Sequence, residues 1–232
     1  MPVRFKAFEW DDKHMLEYSG LKIYWLGHSS FKIKNSTVIY FDPYQIPKGE
    51  VADLVLVSHE HFDHCNPDDI SKICGKDTVI VAPKICTTCL LGIDVKEVVY
   101  VKPGDVVERK GVKMEAVPAY NVDKFRAPGI VFHPREDKRV GFIVEIGGVR
   151  IYHAGDTDLI PEMSEVRADI ALLPVSGVYA MTPEEAARAA EKIKPKLAIP
   201  MHYGAIVASR KEAERFKALS LVPVEILEKE TP

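Results

Sequence analysis

The chain has 232 residues, of which 47% are hydrophobic, and its formal net charge is −3. Such a length can bury a sizeable core, in one large domain or two small ones. The 31 basic and 34 acidic side chains form no basic run, which argues against a nucleic-acid-binding surface as the main function. No stretch approaches the roughly 20 apolar residues that cross a bilayer, and no segment suits secretion. We therefore expect a cytoplasmic protein.

Amide side chains are scarce in this composition. The chain has one glutamine, Gln45, and three asparagines, against abundant lysine and glutamate. Few thermolabile amides together with many charged side chains is a tendency of proteins from thermophiles. The composition therefore predicts a thermophilic source.

The first third of the chain is rich in predicted strands. Residues 1–20 show no clean hydrophobic period and predict an extension over the edge of the domain. Residues 21–26, 31–34 and 37–41 predict three short strands, and the first two are joined by the turn Gly27-His28-Ser29-Ser30. The apolar run at 54–57 is typical of a buried parallel strand.

A dense group of potential metal ligands follows that buried strand. His59 and His61 are two residues apart, so in extended backbone they point to the same side. Asp63 and His64 follow where the chain must turn. Neutral imidazole and carboxylate are ligands of Zn²⁺, Mn²⁺ and Fe²⁺. The stretch predicts a metal site, with a loop of solvated histidines as the alternative.

Four cysteines fall within the next 25 residues. Asn66 as N-cap and Pro67 at the first helical position predict a helix there, and residues 84–91 predict a second, short one. Only Cys86 and Cys89 form a close pair, and helical spacing puts both on one face. Buried free thiols are therefore favoured, while a disulfide and a structural zinc site stay open.

The remaining segments alternate strands, turns and helices. Residues 121–139 have little periodicity, and a loop of that length predicts a lid over the metal site. Two strands end beside further candidate ligands, His153 with Asp156 and then His202, of which His153 is favoured as a buried or supporting residue. The other predicted elements are strands at 78–82, 97–101, 106–109, 112–117, 140–146, 149–153, 170–174, 197–201 and 224–227, and helices at 182–193 and 209–219.

Five stretches, in order along the chain, resemble the metallo-β-lactamase superfamily and its small single-domain, lactonase-like hydrolase branch. They are Trp25-Leu26-Gly27-His28-Ser29, Phe41-Asp42-Pro43, His59-Glu60-His61-Phe62-Asp63-His64, Tyr152-His153-Ala154-Gly155-Asp156-Thr157 and Pro200-Met201-His202-Tyr203-Gly204. The resemblance implies an α+β fold, a four-layer αββα sandwich made by a single domain over 1–232.

The resemblance also implies a metal-dependent hydrolase. His59 and His61 would hold a first metal, whereas Asp63, His64 and His202 would hold a second, with Asp156 bridging. One or two zinc ions are expected, with Mn, Fe or Ni as alternatives. A metal-bound hydroxide would attack a small ester, lactone or phosphodiester. Asp63 would orient the hydroxide or take up its proton, and His28 would orient a ligand or contact substrate.

One departure from the family pattern matters. A histidine usually follows a Pro-Ala pair near the middle of the chain, but Tyr120 and Asn121 follow Pro118-Ala119 here. Three protein ligands plus water still make a valid zinc site. Tyr120 is expected to act as a general acid or oxyanion donor. His133, 12 residues after Asn121, is the hypothetical compensating group, as ligand or proton donor, unless it only ends a surface turn.

Two alternatives to a small-molecule hydrolase stay open at this point. One is a nuclease of the same superfamily, which the missing basic surface disfavours. The other is a non-catalytic metal-binding protein, which the missing histidine favours. The expected partner is a small-molecule substrate, with no membrane, and self-association into a homo-oligomer is left open. His14 is expected to be solvated.

Overall fold

The computed structural model describes residues 14–230. A mixed sheet of seven strands forms one half of the molecule, with its strands side by side in chain order. They are β1 (Met15–Tyr18), β2 (Leu21–Gly27), β3 (Ser30–Lys34), β4 (Val38–Phe41), β5 (Leu54–Leu56), β6 (Val79–Pro83) and β7 (Glu97–Val101). Strands β1 to β4 pair antiparallel, and β4 to β7 pair parallel.

A second mixed sheet repeats this change from antiparallel to parallel pairing. Its spatial order is β15-β14-β13-β12-β9-β8, made by β8 (Val106–Arg109), β9 (Val112–Pro118), β12 (Val140–Ile146), β13 (Val149–His153), β14 (Ile170–Pro174) and β15 (Leu197–Met201). Only β13, β14 and β15 pair parallel. A separate two-stranded ribbon consists of β10 (Phe125–Ala127) and β11 (Ile130–Val131).

Three α-helices lie within residues 14–230, and each begins at a capping residue, which the sequence predicts for Asn66. In α1 (Pro67–Ile73), the side chain of Asn66 accepts hydrogen bonds from the first turn, and proline occupies the first position. Capping boxes open α2 (Pro183–Ile193) and α3 (Arg210–Leu219). None of the helices within residues 14–230 is long and apolar enough to cross a membrane.

The hydrophobic core lies mainly between the two sheets. Inward-facing side chains such as Phe31 of the first sheet and Phe142 of the second belong to one buried cluster, which extends to Phe216 of α3. A second cluster packs Ile70 of α1 against the outer face of the first sheet, beside Val55. Helices therefore cover both outer faces, and the predicted four-layer αββα sandwich is confirmed.

Several predicted elements differ in detail. Residues 15–18 are not part of an extension: they pair with β2 and extend the first sheet, while residues 1–13 lie outside the described range. The predicted helix at 84–91 is only a 3₁₀ turn, Lys84–Thr87. The loop at 121–139 contains the β10–β11 ribbon. The predicted strand at 224–227 makes a single bridge, between Val224 and Ala198. Short segments with few hydrogen-bond partners leave little periodic signal.

The preference for four free thiols is wrong. Cys65 and Cys89 form a disulfide with their Cα atoms 6.4 Å apart, whereas Cys74 and Cys86 are free. Cys86 has its sulfur within 4.8 Å of the other two, so the described arrangement is a disulfide beside a buried thiol rather than a zinc site. The two paired cysteines are 24 residues apart, and a search of the sequence for closely spaced cysteines does not find such a pair.

This pairing predicts the thiol count and a contribution to stability. Protein purified without reductant should show two reactive thiols after denaturation and four after reduction. Because the crosslink closes a 24-residue loop, reduction should lower the free energy of unfolding by about 3 kcal/mol. Thiol titration and denaturant unfolding measure the two effects, and Cys74→Ser serves as control. Four reactive thiols before reduction would contradict the pairing.

Candidate metal centre

The candidate metal ligands meet at one edge of the sandwich, where strands from both sheets end. Residues 58–64 follow β5, Asp156 follows β13 and His202 follows β15. His28 lies in the turn between β2 and β3, and its carbonyl accepts the backbone N–H of His202. The backbone N–H of Val140 donates to Ser58, which joins the sheets again. Carboxyl ends of strands therefore deliver the side chains to one place.

The carboxylate of Asp156 lies at the middle of this group and is 3% exposed. Its oxygens lie close to Nε2 of four histidines. The distances are 3.1 Å to His202, 3.4 Å to His64, 3.8 Å to His133 and 3.9 Å to His59. One carboxylate is thus positioned between two sets of imidazoles, which is the placement a bridging ligand needs.

The first set of imidazoles consists of His59, His61 and His133. His61 Nδ1 lies 3.1 Å from His59 Nε2 and 3.3 Å from His133 Nε2. Three ligands of one tetrahedral zinc ion, at bonds of about 2.0–2.1 Å, have their donor atoms about 3.3 Å apart. The observed spacing therefore fits one cation.

The second set brings together His28, Asp63, His64 and His202, whose ligand atoms lie within 4.8 Å of one another. His64 Nε2 is 3.6 Å from Asp63 Oδ2. His28 Nε2 lies 2.9 Å from the same oxygen and orients that carboxylate. All four residues are buried. The donor set of imidazoles and one carboxylate again suits a transition metal.

Four of the histidines are fixed by a polar side chain at Nδ1. His64 Nδ1 lies 2.7 Å from Asp42 Oδ2, and His59 Nδ1 lies 2.9 Å from Ser58 Oγ. Ser58 in turn donates to Asp42, so its oxygen accepts from His59. The other two pairs are His133 with Asn121 Oδ1 at 2.8 Å and His202 with Ser176 Oγ at 2.8 Å. Such partners select the tautomer and aim Nε2 at a metal.

Several of the inward-facing atoms have no hydrogen-bond partner. His64 Nε2, His202 Nε2 and Asp156 Oδ1 are buried and make no well-aligned hydrogen bond within residues 14–230, although oxygens of Asp156 lie 3.1 and 3.4 Å from the nitrogens of His202 and His64. Leaving a buried polar atom unpaired costs about 1–3 kcal/mol, so three of them around one point require an explanation. Cations held between these atoms would satisfy all three at once, so the residues present fit metal ions.

The local electrostatics also favour positive charge. Burial opposes ionisation of Asp156, but the nearby His202 and His64 outweigh it and hold the pKa of Asp156 well below its usual range. Burial also opposes protonation of His64, yet Asp156 and Asp42 raise its pKa well above the ordinary value. A buried carboxylate of this kind is stable only beside a proton or a cation.

The loop at 121–139 returns His133 to the centre. The N–H of Asn121 donates to the His133 carbonyl, and the Asn121 side-chain oxygen accepts the His133 N–H. The side-chain nitrogen of Asn121 donates to the carboxylate of Asp158, which also accepts hydrogen bonds from the backbone N–H groups of Val122 and Asp123. Asn121, at the expected histidine position, therefore supports an imidazole rather than replacing one.

Tyr120 is oriented differently from the sequence-based expectation. Its hydroxyl donates to Glu162 Oε2 at 3.0 Å, and Arg135 lies over its ring. No hydrogen bond joins this hydroxyl to the candidate ligands within the described range. The backbone turns the side chain to the opposite side of the chain from Asn121, so we do not retain Tyr120 as an acid or oxyanion donor.

Sequence reasoning gave no role to several supporting residues. Asp42 lies in one of the five stretches that carry the resemblance, whereas the signal available for Ser58 and Ser176 was only that they follow β5 and β14. Glu60 and Arg139 form a two-point ion pair, at 3.0 and 2.5 Å, which connects the histidine loop to the end of the His133 loop. No spacing rule connects positions 79 residues apart.

Two other histidines lie outside the centre. His153 donates through Nε2 to the Ser29 carbonyl at 2.9 Å and stacks on Phe41, in agreement with its predicted buried, supporting position. His14 is not simply solvated, because its Nδ1 bonds to the Lys229 carbonyl at 2.9 Å.

The backbone of the centre is locally strained. His28, Asp42 and His202 have φ angles of +54°, +40° and +61°. Each such residue costs on the order of 1–3 kcal/mol, and such residues concentrate at functional sites. Gly155, at φ +64°, precedes Asp156, and a Cβ there would lie 2.9 Å from the Val140 carbonyl oxygen. Only glycine fits this turn.

Comparison with known proteins places the chain in a family. A model described as the beta-lactamase superfamily domain matches residues 22–202. The chain belongs to the metallo-β-lactamase superfamily. A UPF0173 metal-dependent hydrolase of Thermoplasma acidophilum is 34% identical over 212 residues, which cover 86% of this chain and 91% of the relative. A UPF0173 metal-dependent hydrolase of Archaeoglobus fulgidus is 33% identical over 214 residues, which cover 85% of this chain and 89% of that relative.

Solved structures agree with this family membership. A crystal structure from Parabacteroides distasonis has a TM-score of 0.80 at 32% identity, covering 93% of this chain and 98% of that one. Igni18, a metallo hydrolase from Ignicoccus hospitalis, has a TM-score of 0.71 at 22% identity, covering 91% and 96%, and so shares the fold. By class, this superfamily member is a metal-dependent hydrolase.

The buried histidines predict how the metal-free protein responds to pH. Burial lowers the pKa of His28, His59, His61 and His153, and lowers that of His133 to about 4. In the unfolded chain, histidines titrate near 6.5. Below that pH the unfolded state binds more protons, so the free energy of unfolding should fall as the pH drops from 7 to 5.

The raised pKa of His64 does not reverse this trend. Its contribution to stability is fully present below 6.5 and is lost only as the pH rises through the folded value. Denaturant unfolding of chelator-treated protein across this range checks the prediction. A free energy of unfolding that stays constant or rises between pH 7 and 5 would show that these imidazoles are protonated in the fold.

Proposed function

We propose that this superfamily member hydrolyses a small ester, lactone or phosphodiester with one or two transition-metal ions, zinc being the first choice. The proposed ligands of one ion are His59, His61 and His133, and those of the other are Asp63, His64 and His202. Asp156 is proposed to bridge them. A cytoplasmic location and a thermophilic source stay predictions from composition.

One observation carries the proposal. Unpaired, buried Nε2 atoms of His64 and His202 and the unpaired Oδ1 of Asp156 converge on one point, while the opposite ring nitrogens are bonded to fixed partners. A merely structural cluster of this kind would pair its polar atoms with each other or with backbone. Open inward donors with anchored outer nitrogens are the pattern of metal ligands.

Hydrolysis follows from the properties of such a centre. When bound, the metal ions would polarise the carbonyl or phosphoryl oxygen of a substrate, which makes the attached carbon or phosphorus more electrophilic, and would lower the pKa of bound water. Asp63 is the carboxylate of the second set and keeps a side-chain exposure of 12%. His28 occupies its Oδ2, and Oδ1 accepts no hydrogen bond within the described residues. Asp63 can therefore orient water and take up its proton through Oδ1.

The role of His133 can be tested by metal content. His133→Ala removes one of the three imidazoles of the first set, so the protein should bind about one equivalent less metal or bind it more weakly. Asn121→Leu keeps the imidazole but removes the acceptor at its Nδ1, which should weaken affinity by about 10- to 100-fold. Elemental analysis after mild purification and competition with a chelator measure both effects.

A matched control and a clear counter-result complete this test. His14→Ala removes an imidazole whose ring bonds a backbone carbonyl outside the centre, so it should leave metal content unchanged. His59→Ala/His61→Ala should abolish binding at the first set. If His133→Ala binds metal like the wild type while that double variant does not, His133 is a structural residue.

The hydrolase proposal predicts turnover that depends on Asp63. Metal-loaded protein incubated with a panel of small esters, lactones and phosphodiesters should hydrolyse one class, and Asp63→Asn should lower kcat by about 10²-fold or more, since it removes a proton acceptor. RNA and single-stranded DNA belong in the same panel. Turnover of the polymers alone would indicate a nuclease, and metal binding without any turnover would indicate a non-catalytic protein.

A further inference from the structure

A cavity of about 300 Å³ lies beside the candidate metal centre. Its walls include His28 and three other aromatic residues, Trp25, Tyr44 and Tyr203, and Tyr203 stacks on Trp25 with ring centroids 4.6 Å apart. His28 is shared between the cavity and the centre, because its Nε2 bonds to Asp63. A molecule in this cavity would therefore lie next to the reacting groups.

Two buried polar atoms on the cavity-lining residues lack partners. They are His28 Nδ1 and the Tyr203 hydroxyl, on residues that are 1% and 2% exposed. Their unpaired state within residues 14–230 costs about 1–3 kcal/mol each. Neither atom is explained by the metal ligands, since Tyr203 belongs to neither set and His28 faces Asp63 through its other nitrogen.

The two atoms have different hydrogen-bonding properties. Because His28 Nε2 donates to the carboxylate of Asp63, its Nδ1 carries a lone pair and accepts. A tyrosine hydroxyl carries its proton near neutral pH, so the Tyr203 hydroxyl can donate. The residues that line the cavity thus carry one unpaired acceptor and one unpaired donor, both buried in this structure, which a ligand with a hydroxyl and an oxyanion would satisfy.

Positive charge lines the same cavity. Lys229 lies across Gly27, where an added Cβ would come within 3.2 Å of the ammonium nitrogen. No carboxylate in the described part of the chain lies within ion-pair distance of that ammonium. Arg210 also lines the cavity, but Glu228 and Glu214 bind its guanidinium at 2.7 and 3.3 Å. Lys229 is therefore the cation available to a ligand.

The C-terminal segment holds Lys229 in this place. Val224 bridges to Ala198 beside the second sheet, and Lys229 bridges to Trp25 beside the first. The N–H of Glu230 donates to the Trp25 carbonyl at 2.8 Å. The segment thus joins both sheets, and the lysine is positioned by backbone pairing rather than by a flexible tail.

We propose that this cavity binds the non-reacting part of the substrate, a hydroxylated organic anion whose carboxylate or phosphate contacts Lys229 and Tyr203 and whose hydroxyl donates to His28 Nδ1. Its role as a substrate subsite rests on the proposed hydrolase function. The aromatic walls accept an apolar body between the two polar ends. Gly27 is required because a side chain there would displace the lysine.

Four matched probes distinguish the contribution of the ligand's negative charge to binding from that of its hydroxyl group. 4-(Hydroxymethyl)benzoate carries both groups and is a poor chelator, 4-methylbenzoate lacks the hydroxyl, and 4-(hydroxymethyl)benzamide lacks the charge. 4-(Hydroxymethyl)phenyl phosphate distinguishes phosphate from carboxylate. Titration calorimetry with the metal-loaded protein should show the two hydroxylated anions binding at least about tenfold more tightly than either incomplete probe, as loss of one charge-assisted hydrogen bond predicts.

Variants of the cavity then test the residues. Lys229→Met should weaken binding of the hydroxylated anions by about tenfold and leave the benzamide unchanged, and Tyr203→Phe should weaken the anions severalfold. The exposed Lys217 and Tyr100 provide matched controls, Lys217→Met and Tyr100→Phe, which should bind like the wild type. Anion binding that is unchanged in both Lys229→Met and Tyr203→Phe overturns the assignment.

The metal centre is tested separately from the cavity. In His59→Ala/His61→Ala, binding that depends on Lys229 should persist, whereas anion binding that disappears there would be binding to the metals and would overturn the inference. If the hydrolysis panel fails while Lys229-dependent binding persists, the hydrolase proposal is wrong and the binding site stands. Turnover without Lys229-dependent binding would support the hydrolase proposal and overturn the assignment of the cavity.

Discussion

The buried carboxylate of Asp156 is the constraint on which the rest of the centre depends. Removing such a charge from water is expensive unless positive charge lies beside it. In the metal-free protein, the low pKa of Asp156 and the high pKa of His64 make the two an ion pair. A cation bound between the imidazoles would replace that proton. The centre therefore holds compensating positive charge in either state, and the surrounding packing must accommodate both.

The imidazole rings are oriented by residues that are neither proposed metal ligands nor proposed catalytic groups. The partners of His64, His59, His202 and His133 lie within three residues after the ends of β4, β5, β14 and β9. Packing of the two sheets therefore sets ring directions as well as positions. Two of the three residues with left-handed backbone, His28 and His202, are joined by the hydrogen bond from the His202 N–H to the His28 carbonyl.

Much of the fold and the core of the site could be predicted from the sequence, for identifiable reasons. Alternating segments and capping residues leave local signals, and His59 to His64 concentrate several ligand types in six residues. His133 drew attention only because an expected histidine was missing beside Tyr120. The supporting residues left no such signal, because serine and asparagine are common in turns. The direction of the Tyr120 side chain and the Cys65–Cys89 pairing depend on tertiary contacts that no local pattern encodes.

His28 connects the two parts of the proposed active site through one ring. Its Nε2–H donates to Asp63, and its Nδ1 is buried and unpaired on a residue that lines the cavity. A ligand hydroxyl donating to Nδ1 draws electron density from the ring and makes Nε2–H a stronger hydrogen-bond donor to Asp63, which stabilises the ionised form of that carboxylate. An ionised Asp63 is the form that can accept a proton from water. On the proposed assignment, occupation of the cavity therefore favours the protonation state that hydrolysis requires, without any movement of the backbone.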